Sequence, residues 1–432
     1  MTRSPSAHVA EEEESYVREC PPLLAKVLTS NVTLWALVFL TIGIAISVGA
    51  LSENRHLFDG DEEIYMRVIR QFADGVSVDL LRTYGGEPAS PAPLFFMVYS
   101  WCGRLLGFSY PVFRGLSLFI TVLATLWVSL LLRRRDPDDP RVYFPILVFL
   151  FPYIFCMAFA VMAEPLSLLF TVIGMGCYFQ GLACKSDRSL LAGSVAITAA
   201  LYVRIHASFA PVAAMLVLLL QKDRSALRWC LAGAPLVLRI PLVVLQGGLT
   251  VSREAFTATK PELGFCPSNI NFFFVWFGYL FFPLLWWCKG KRWINLVVAF
   301  CLIPVYIVLA PDFLATHHNG ALRTLFLRVG AGTDAARLLA FPAWFIGCYL
   351  TMDLIQRIVS AKHVRDMFFG ACVVVFMVSL VFSTVAFERY YLLAVPAIVL
   401  MGVSASGRRT GYAVMAVWHI LFLSLSAARL AT

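Results

Sequence analysis

The sequence predicts an all-α fold, a polytopic transmembrane helical bundle of about 13 spans with amphipathic interfacial helices in its first outer loop. Three observations predict it. Apolar runs about one bilayer long recur from residue 31 onward. Only 14% of the 432 residues are charged, against roughly 25% in soluble domains, too few to cover a water-facing surface. The basic residues gather in alternate short loops, the pattern that fixes orientation in a membrane. Lipid offers exposed backbone no hydrogen-bond partner, so spans are helices or closed barrels, and these runs are solidly apolar rather than alternating.

The elements follow in order. Residues 1–30 form a polar tail with Glu11 to Glu14 in a row, a solvated charge run. The tail lacks the basic start and apolar core of a cleavable signal, so it is expected to be cytoplasmic. Residues 31–432 form a single membrane domain, because no loop is long enough to fold by itself. The candidate spans are Asn31–Leu51, Pro111–Leu132, Tyr143–Met162, Ala163–Cys184, Leu190–Val203, Ser208–Leu220, Cys230–Thr250, Asn269–Cys288, Trp293–Ala310, Leu338–Ile355, Phe368–Phe387, Tyr391–Val403 and Gly411–Ala428. Loops 133–141, 185–188, 221–228, 289–292, 356–365 and 407–409 together hold 17 Lys and Arg, which puts them in the cytoplasm. The opposite loops, including 52–110, then face the periplasm, the cell exterior or the ER lumen. A bacterial inner membrane is the favoured location and an ER membrane the alternative.

Composition excludes several classes. The net charge of +9 sits in loops between spans, where it sets topology, so nucleic acid is not an expected partner. The eleven cysteines are scattered with no CxxC pair and read as small core residues. There is no P-loop, no GxGxxG before a strand, no HExxH and no GxSxG. His206, His317 and His318 fall on the outer side, without the spacing of a metal site.

The outer loop 52–110 holds the densest acidic cluster outside the tail, Asp59, Asp61, Glu62 and Glu63. Ile64, Val68, Ile69 and Phe72 share one helical face, with Glu63, Arg67, Arg70 and Asp74 opposite and Gly75 as a stop. Such a helix suits the membrane surface. After the breakers Gly85 to Pro93, the segment Pro93 to Leu106 carries Phe95, Phe96, Tyr99 and Trp101, suited to the interfacial aromatic belt.

Asp61 and Glu62 read in two ways. One is a carboxylate at the water interface, able to take a proton from an acceptor hydroxyl. The other is capping, with Asp59 as N-cap and Glu62 three residues on. On spacing alone capping is the better reading, and both can hold, with Asp59 capping and Asp61 free for chemistry. Arg204 in LYVRIHASFAP and Arg389 in FERYYLLAVP are either phosphate ligands or interfacial arginines marking turns. Arg239 interrupts an apolar run, where a charge costs at least ~2.5 kcal/mol, so it is expected to face a cavity or a partner. Glu164, at an outer turn, is one candidate partner.

The order of features resembles a known family. An acidic pair and an aromatic residue (Asp61, Glu62, Tyr65) open the first outer loop. An amphipathic helix then ends at Gly75, SPAPLFFMVYSWCGRLLG leads to Arg114 in FRGLSLF, and ERYYLLAVPA precedes the last spans. This resembles the GT-C superfamily of membrane glycosyltransferases, most closely the protein O-mannosyltransferase and lipid A aminoarabinose transferase branch. The dolichyl-phosphate-glucose glucosyltransferase branch is second, on the Arg-containing turn LYVRIHAS. The family's Pro-Pro reads here as Pro91-Ala92-Pro93. The resemblance implies a sugar donor carried on polyprenyl or dolichyl phosphate and a glycan, lipid or protein acceptor. It implies inversion at the anomeric carbon, with Asp61 as catalytic base and Glu62 assisting or orienting the acceptor. Arg204 and Arg389 would stabilise the phosphate leaving group. Asp59, Tyr65, Arg114, Glu164 and Tyr390 are further candidates for the substrate and phosphate pocket. No cofactor is implied, and a divalent ion is left open. Two other classes compete: a transporter or flippase, which predicts midplane charges and a repeat between halves, and a catalytically silent subunit.

Overall fold

The computed structural model describes residues 61–87, 89, 91–132, 144–248, 265–288, 292–309, 312–314, 321–361, 363–382, 388–405, 415, 418 and 419. Asn31–Leu51, Asp59, His317 and His318 lie outside them, as does nearly all of Gly411–Ala428. Among the described residues there are helices and no strands. Six helical stretches are long and apolar enough to cross a membrane: Tyr110–Val128, Glu164–Ala183, Ala226–Gln246, Ser268–Leu285, Thr333–Val359 and Val364–Phe382. Shorter apolar stretches at Ile205–Leu220, Trp293–Leu309 and Tyr391–Met401 accompany them. The chain is a polytopic helical membrane protein.

Helices α1 (Asp61–Asp74), α2 (Val78–Thr83) and α3 (Pro93–Leu106) make up the described part of loop 52–110. α4 (Tyr110–Leu132) follows. Tyr143–Met162 is not one continuous helix but two short ones, α5 (Phe144–Phe149) and α6 (Pro152–Ala158), with Phe151 extended between them. Pro152 lacks an N–H and its ring bars the preceding residue from helical geometry. Two other predicted spans are also interrupted next to a proline, whose missing N–H removes a helical hydrogen bond. Asn269–Cys288 becomes α11 (Ser268–Phe281) and a 3₁₀ turn from Phe282 that contains Pro283. Trp293–Ala310 becomes α12 (Arg292–Cys301) and α13 (Ile303–Leu309), parted just before Pro304.

Between them, α7 (Glu164–Ala183) and α8 (Asp187–Leu201) form an antiparallel hairpin, and α9 (Phe209–Leu220) and α10 (Ala226–Gln246) follow. α10 keeps Pro235 and Pro241 inside it. Pro235 leaves the Leu231 carbonyl without its helical donor, and the Ser194 hydroxyl from α8 supplies one. The last third holds α14 (Ala321–Arg328), α15 (Thr333–Val359), α16 (Val364–Ser379) and α17 (Val395–Ala405). The closest partnerships are α7 with α8 and α4, α8 with α10, α9 with α16, and α11 with α15.

The two ends of the bundle differ in chemistry. At one end, Arg228 donates to Asp187 at 3.0 Å, to Asp223 at 2.7 Å and to the Lys185 carbonyl at 2.9 Å. This joins two of the basic loops assigned to the cytoplasm. The Ser225 amide and the Arg228 guanidinium hold the Asp223 carboxyl below its ordinary range. The stability from that contact is therefore present above about pH 4 and lost as pH falls through the lowered value. Melting in detergent should show Asp223→Asn less stable than wild type near neutrality, with the gap closing in acid.

Candidate active site

The opposite end collects the residues singled out in the sequence. α1 forms because its apolar residues recur at helical spacing. Its buried stripe is Glu62, Tyr65, Met66, Val68, Ile69 and Phe72, with Glu63, Arg67, Arg70 and Asp74 exposed. The stripe is covered by protein. Tyr65 meets Phe95 and Phe96 edge-on at 5.6 and 6.1 Å, and Phe72 lies 5.5 Å from Phe96. The expected aromatic belt is corrected accordingly. Phe95, Phe96 and Tyr99 share the α3 face turned to α1 and α4 and are core residues, and Trp101 alone of the four is exposed.

Glu62 is wholly buried although charged. It accepts from Arg114 at 2.8 and 3.2 Å and from the Val161 amide at 2.8 Å. Arg114, in the second turn of α4, is 5% exposed. A guanidinium fork and a backbone amide together satisfy the carboxylate, which is what a buried charge needs. One turn along α1, the Tyr65 hydroxyl accepts from Arg204 at 3.3 Å. The same Arg204 nitrogen donates to Glu164 at 2.8 Å. Glu164 and Arg204 are 2% and 4% exposed. Glu164 is the first residue of α7, where the helix dipole favours an anion. The sequence offered Glu164 as a partner for Arg239, and the structure gives it Arg204. Arg239 lies in α10 over the Tyr202 ring, 5.6 Å from its centroid.

Five segments thus meet at one end: the start of α1, the start of α4, the turn at Val161, the start of α7 and the turn after α8. Asp61 opens α1 as the sequence neighbour of Glu62 and is partly exposed. Arg389 and Tyr390 lie on the 3₁₀ turn Glu388–Leu393, which packs on α6, on the α7 start and on the turn Ile205–Ser208. Their side chains lie outside what is described. Among the described residues no three His, Cys, Asp or Glu side chains gather as a metal site.

Sequence reasoning missed the strap between α1 and α3. Arg67 grips Glu87 with two bonds, at 2.7 and 3.0 Å, and Glu63 with a third at 2.7 Å. Tyr84 takes a left-handed backbone conformation before Gly85 and Gly86, and its hydroxyl donates to the Pro91 carbonyl at 2.9 Å. Burial raises that hydroxyl well above its usual range, so it stays a donor. Gln246, the last residue of α10, donates to the Leu81 carbonyl and to the Tyr84 hydroxyl, both at 3.2 Å. Ala92 and Leu94 donate to the carbonyls of Val203 and Tyr202 at 2.9 and 3.0 Å, tying the strap to the Arg204 turn. The polar Gln246 closing an apolar run was a readable signal, whereas the Val161 amide left none.

No family model and no curated protein matches the sequence. Among solved structures, the chain is similar to ArnT from Cupriavidus metallidurans, determined bound to undecaprenyl phosphate. The identity is 14%, the match covers 90% of this chain and 78% of that one, and the TM-score is 0.38. A superposition that loose transfers neither a residue nor an activity.

Proposed function

We propose that the chain is an integral-membrane glycosyltransferase of GT-C type. It moves a sugar from a polyprenyl- or dolichyl-phosphate donor to an acceptor hydroxyl at the outer face. The observation that carries this reading is the pair of buried ion pairs, Glu62–Arg114 and Glu164–Arg204, joined through α1, whose first residue is the partly exposed Asp61. Two desolvated pairs at one end of an apolar bundle cost folding free energy that hydrophobic replacements would spare. Their arrangement supports a fixed site better than a fixed fold.

In this reading the acceptor oxygen forms a bond to the anomeric carbon as the carbon–oxygen bond to the phosphate breaks. Asp61 takes the acceptor's proton, and the leaving electron pair goes to the phosphate oxygen. Arg204 and Arg389 stabilise that charge, so no metal is needed for the step. Displacement from the face opposite the phosphate inverts the anomeric centre. Glu62 acts through Arg114 and the Val161 amide, keeping Asp61 in register, and is a positioning residue.

The test is sugar transfer by purified full-length protein offered a panel of polyprenyl-phosphate sugars. Wild type should transfer or hydrolyse at least one donor, and Asp61→Asn should lose about 10²-fold or more of that rate while melting like wild type. Full activity in Asp61→Asn would remove Asp61 from the mechanism. Activity with no donor would favour a transporter or a silent subunit.

A further inference from the structure

Tyr84 is wholly buried, and the chemistry above leaves its hydroxyl unused. Tyr84, Gly85 and Gly86 take left-handed backbone angles one after another, at φ 49°, 63° and 82°. Glycine accepts that conformation freely and tyrosine does not. A tyrosine persists there because its surroundings hold it. Its ring lies edge-on to Phe96 at 5.0 Å and to Phe72 at 5.9 Å, which seats it between α3 and α1. Phenylalanine would make those contacts equally well, so the hydroxyl is what this position adds.

That hydroxyl is one link in a chain of hydrogen bonds. Gln246, at the end of α10, donates to it, and it donates to the Pro91 carbonyl. The next residue, Ala92, donates to the Val203 carbonyl, and Leu94 donates to the Tyr202 carbonyl. Arg204 follows directly, in an extended conformation at φ −147° and ψ 128°. Two amides of the strap therefore grip the two residues that lead into it. From another direction, Phe96 packs on Tyr65, whose hydroxyl accepts from Arg204. Tyr84 thus reaches Arg204 by two routes, one ending on the backbone of its turn and one on its side chain. A satisfied buried polar network rigidifies one arrangement, where apolar packing by itself tolerates several.

We infer that Tyr84 and Gln246 are positioning residues, a clamp between the end of α10 and the strap that sets the turn carrying Arg204. The role rests on the transferase reading, in which Arg204 stabilises the leaving phosphate. A guanidinium displaced by about 1 Å no longer meets that charge where it develops, and such misplacement can cost on the order of 10²-fold in rate. An interaction made in the transition state alone is then weakened, so a loosened clamp lowers kcat and leaves KM as it was.

The experiment measures amide hydrogen exchange and sugar transfer on the full-length protein in nanodiscs. Tyr84→Phe keeps the ring and removes the hydroxyl. Gln246→Leu removes the partner at α10 and carries the test should Tyr84→Phe fail to fold. Each should speed exchange of the Ala92 and Leu94 amides about tenfold or more, and lower kcat about tenfold with KM unchanged. Together they should cost no more than either one, since both break the same chain. Thr83→Val is the control: its hydroxyl donates to the Asp79 carbonyl, outside the chain, and it should match wild type in both measurements. Wild-type exchange in the folded variants overturns the clamp. So does faster exchange with undiminished transfer, an additive double variant, or a Thr83→Val that loses as much as Tyr84→Phe. Faster exchange in the variants of a protein that transfers no sugar from any donor sinks the transferase reading and leaves the clamp on the Arg204 turn standing. Sugar transfer by wild type with unchanged exchange in the variants does the reverse.

Discussion

Arg114→Met should destabilise the protein by about 3–5 kcal/mol, the cost of leaving a buried carboxylate without its counter-charge. Glu62 is wholly buried and accepts two hydrogen bonds from Arg114 and one from the Val161 amide. Removing the guanidinium takes away the counter-charge, and the Val161 amide does not neutralise a charge. The double variant Glu62→Leu with Arg114→Met should recover most of the loss, because neither charge then has to be buried. Thermal or denaturant unfolding in detergent measures both. The same pair separates stability from activity. If Glu62 and Arg114 hold Asp61 in register, the double variant should melt near wild type and still transfer sugar slowly, with the loss in kcat rather than KM. A double variant that is both stable and fully active would make the pair mere packing.

How much of this was legible in the sequence follows from what each feature depends on. The α1 face and its exposed opposite side depend on a 3.6-residue period, and Val68, Ile69 and Phe72 are buried where that period puts them. Loop charge put Glu164 and Arg204 on one and the same face, and the two are in contact. Their pairing was not legible. Whether Glu164 finds Arg204 or Arg239 depends on how α7 and α8 rotate against each other. That rotation is set by close contacts at Gly174, Gly181 and Gly193, where a side chain would strike Ile197, Leu190 and Tyr178. Glu62 and Arg114 are 52 residues apart and on different helices, so no local spacing announces their bond. The helix breaks at Pro152, Pro283 and Pro304 were written in the sequence, yet Pro235, Pro241 and Pro342 sit inside helices. Hydropathy alone does not distinguish the two sets. A neighbour such as Ser194 that serves the freed carbonyl does, and neighbours are a tertiary property.

The second large effect should come from a methyl group. Gly278→Ala is expected to destabilise the bundle by on the order of 3 kcal/mol or more, although alanine is the better helix former by about 1 kcal/mol. Phe274 and Gly278 on α11 face Ala343 and Gly347 on α15, each pair four residues apart. A Cβ on Gly278 would run into the Ala343 carbonyl, and one on Gly347 into the Phe274 carbonyl. These obstacles are backbone, so no side chain can swing aside and the helices must separate. Between membrane helices, where lipid is as apolar as any side chain, close packing of this kind supplies much of the attraction. Gly115→Ala in α4 is the control, because nothing lies within 4 Å of the added atom. There the propensity term acts by itself, and stability should rise by about 0.5–1 kcal/mol. Opposite signs for one chemical change in two helices of one protein would locate the α11–α15 contact as a true backbone crossing. A small or favourable effect at Gly278 would mean that the two helices stand further apart, and that Trp344, packed beside Phe274 and donating to Asn271 at 2.9 Å, sets their spacing instead.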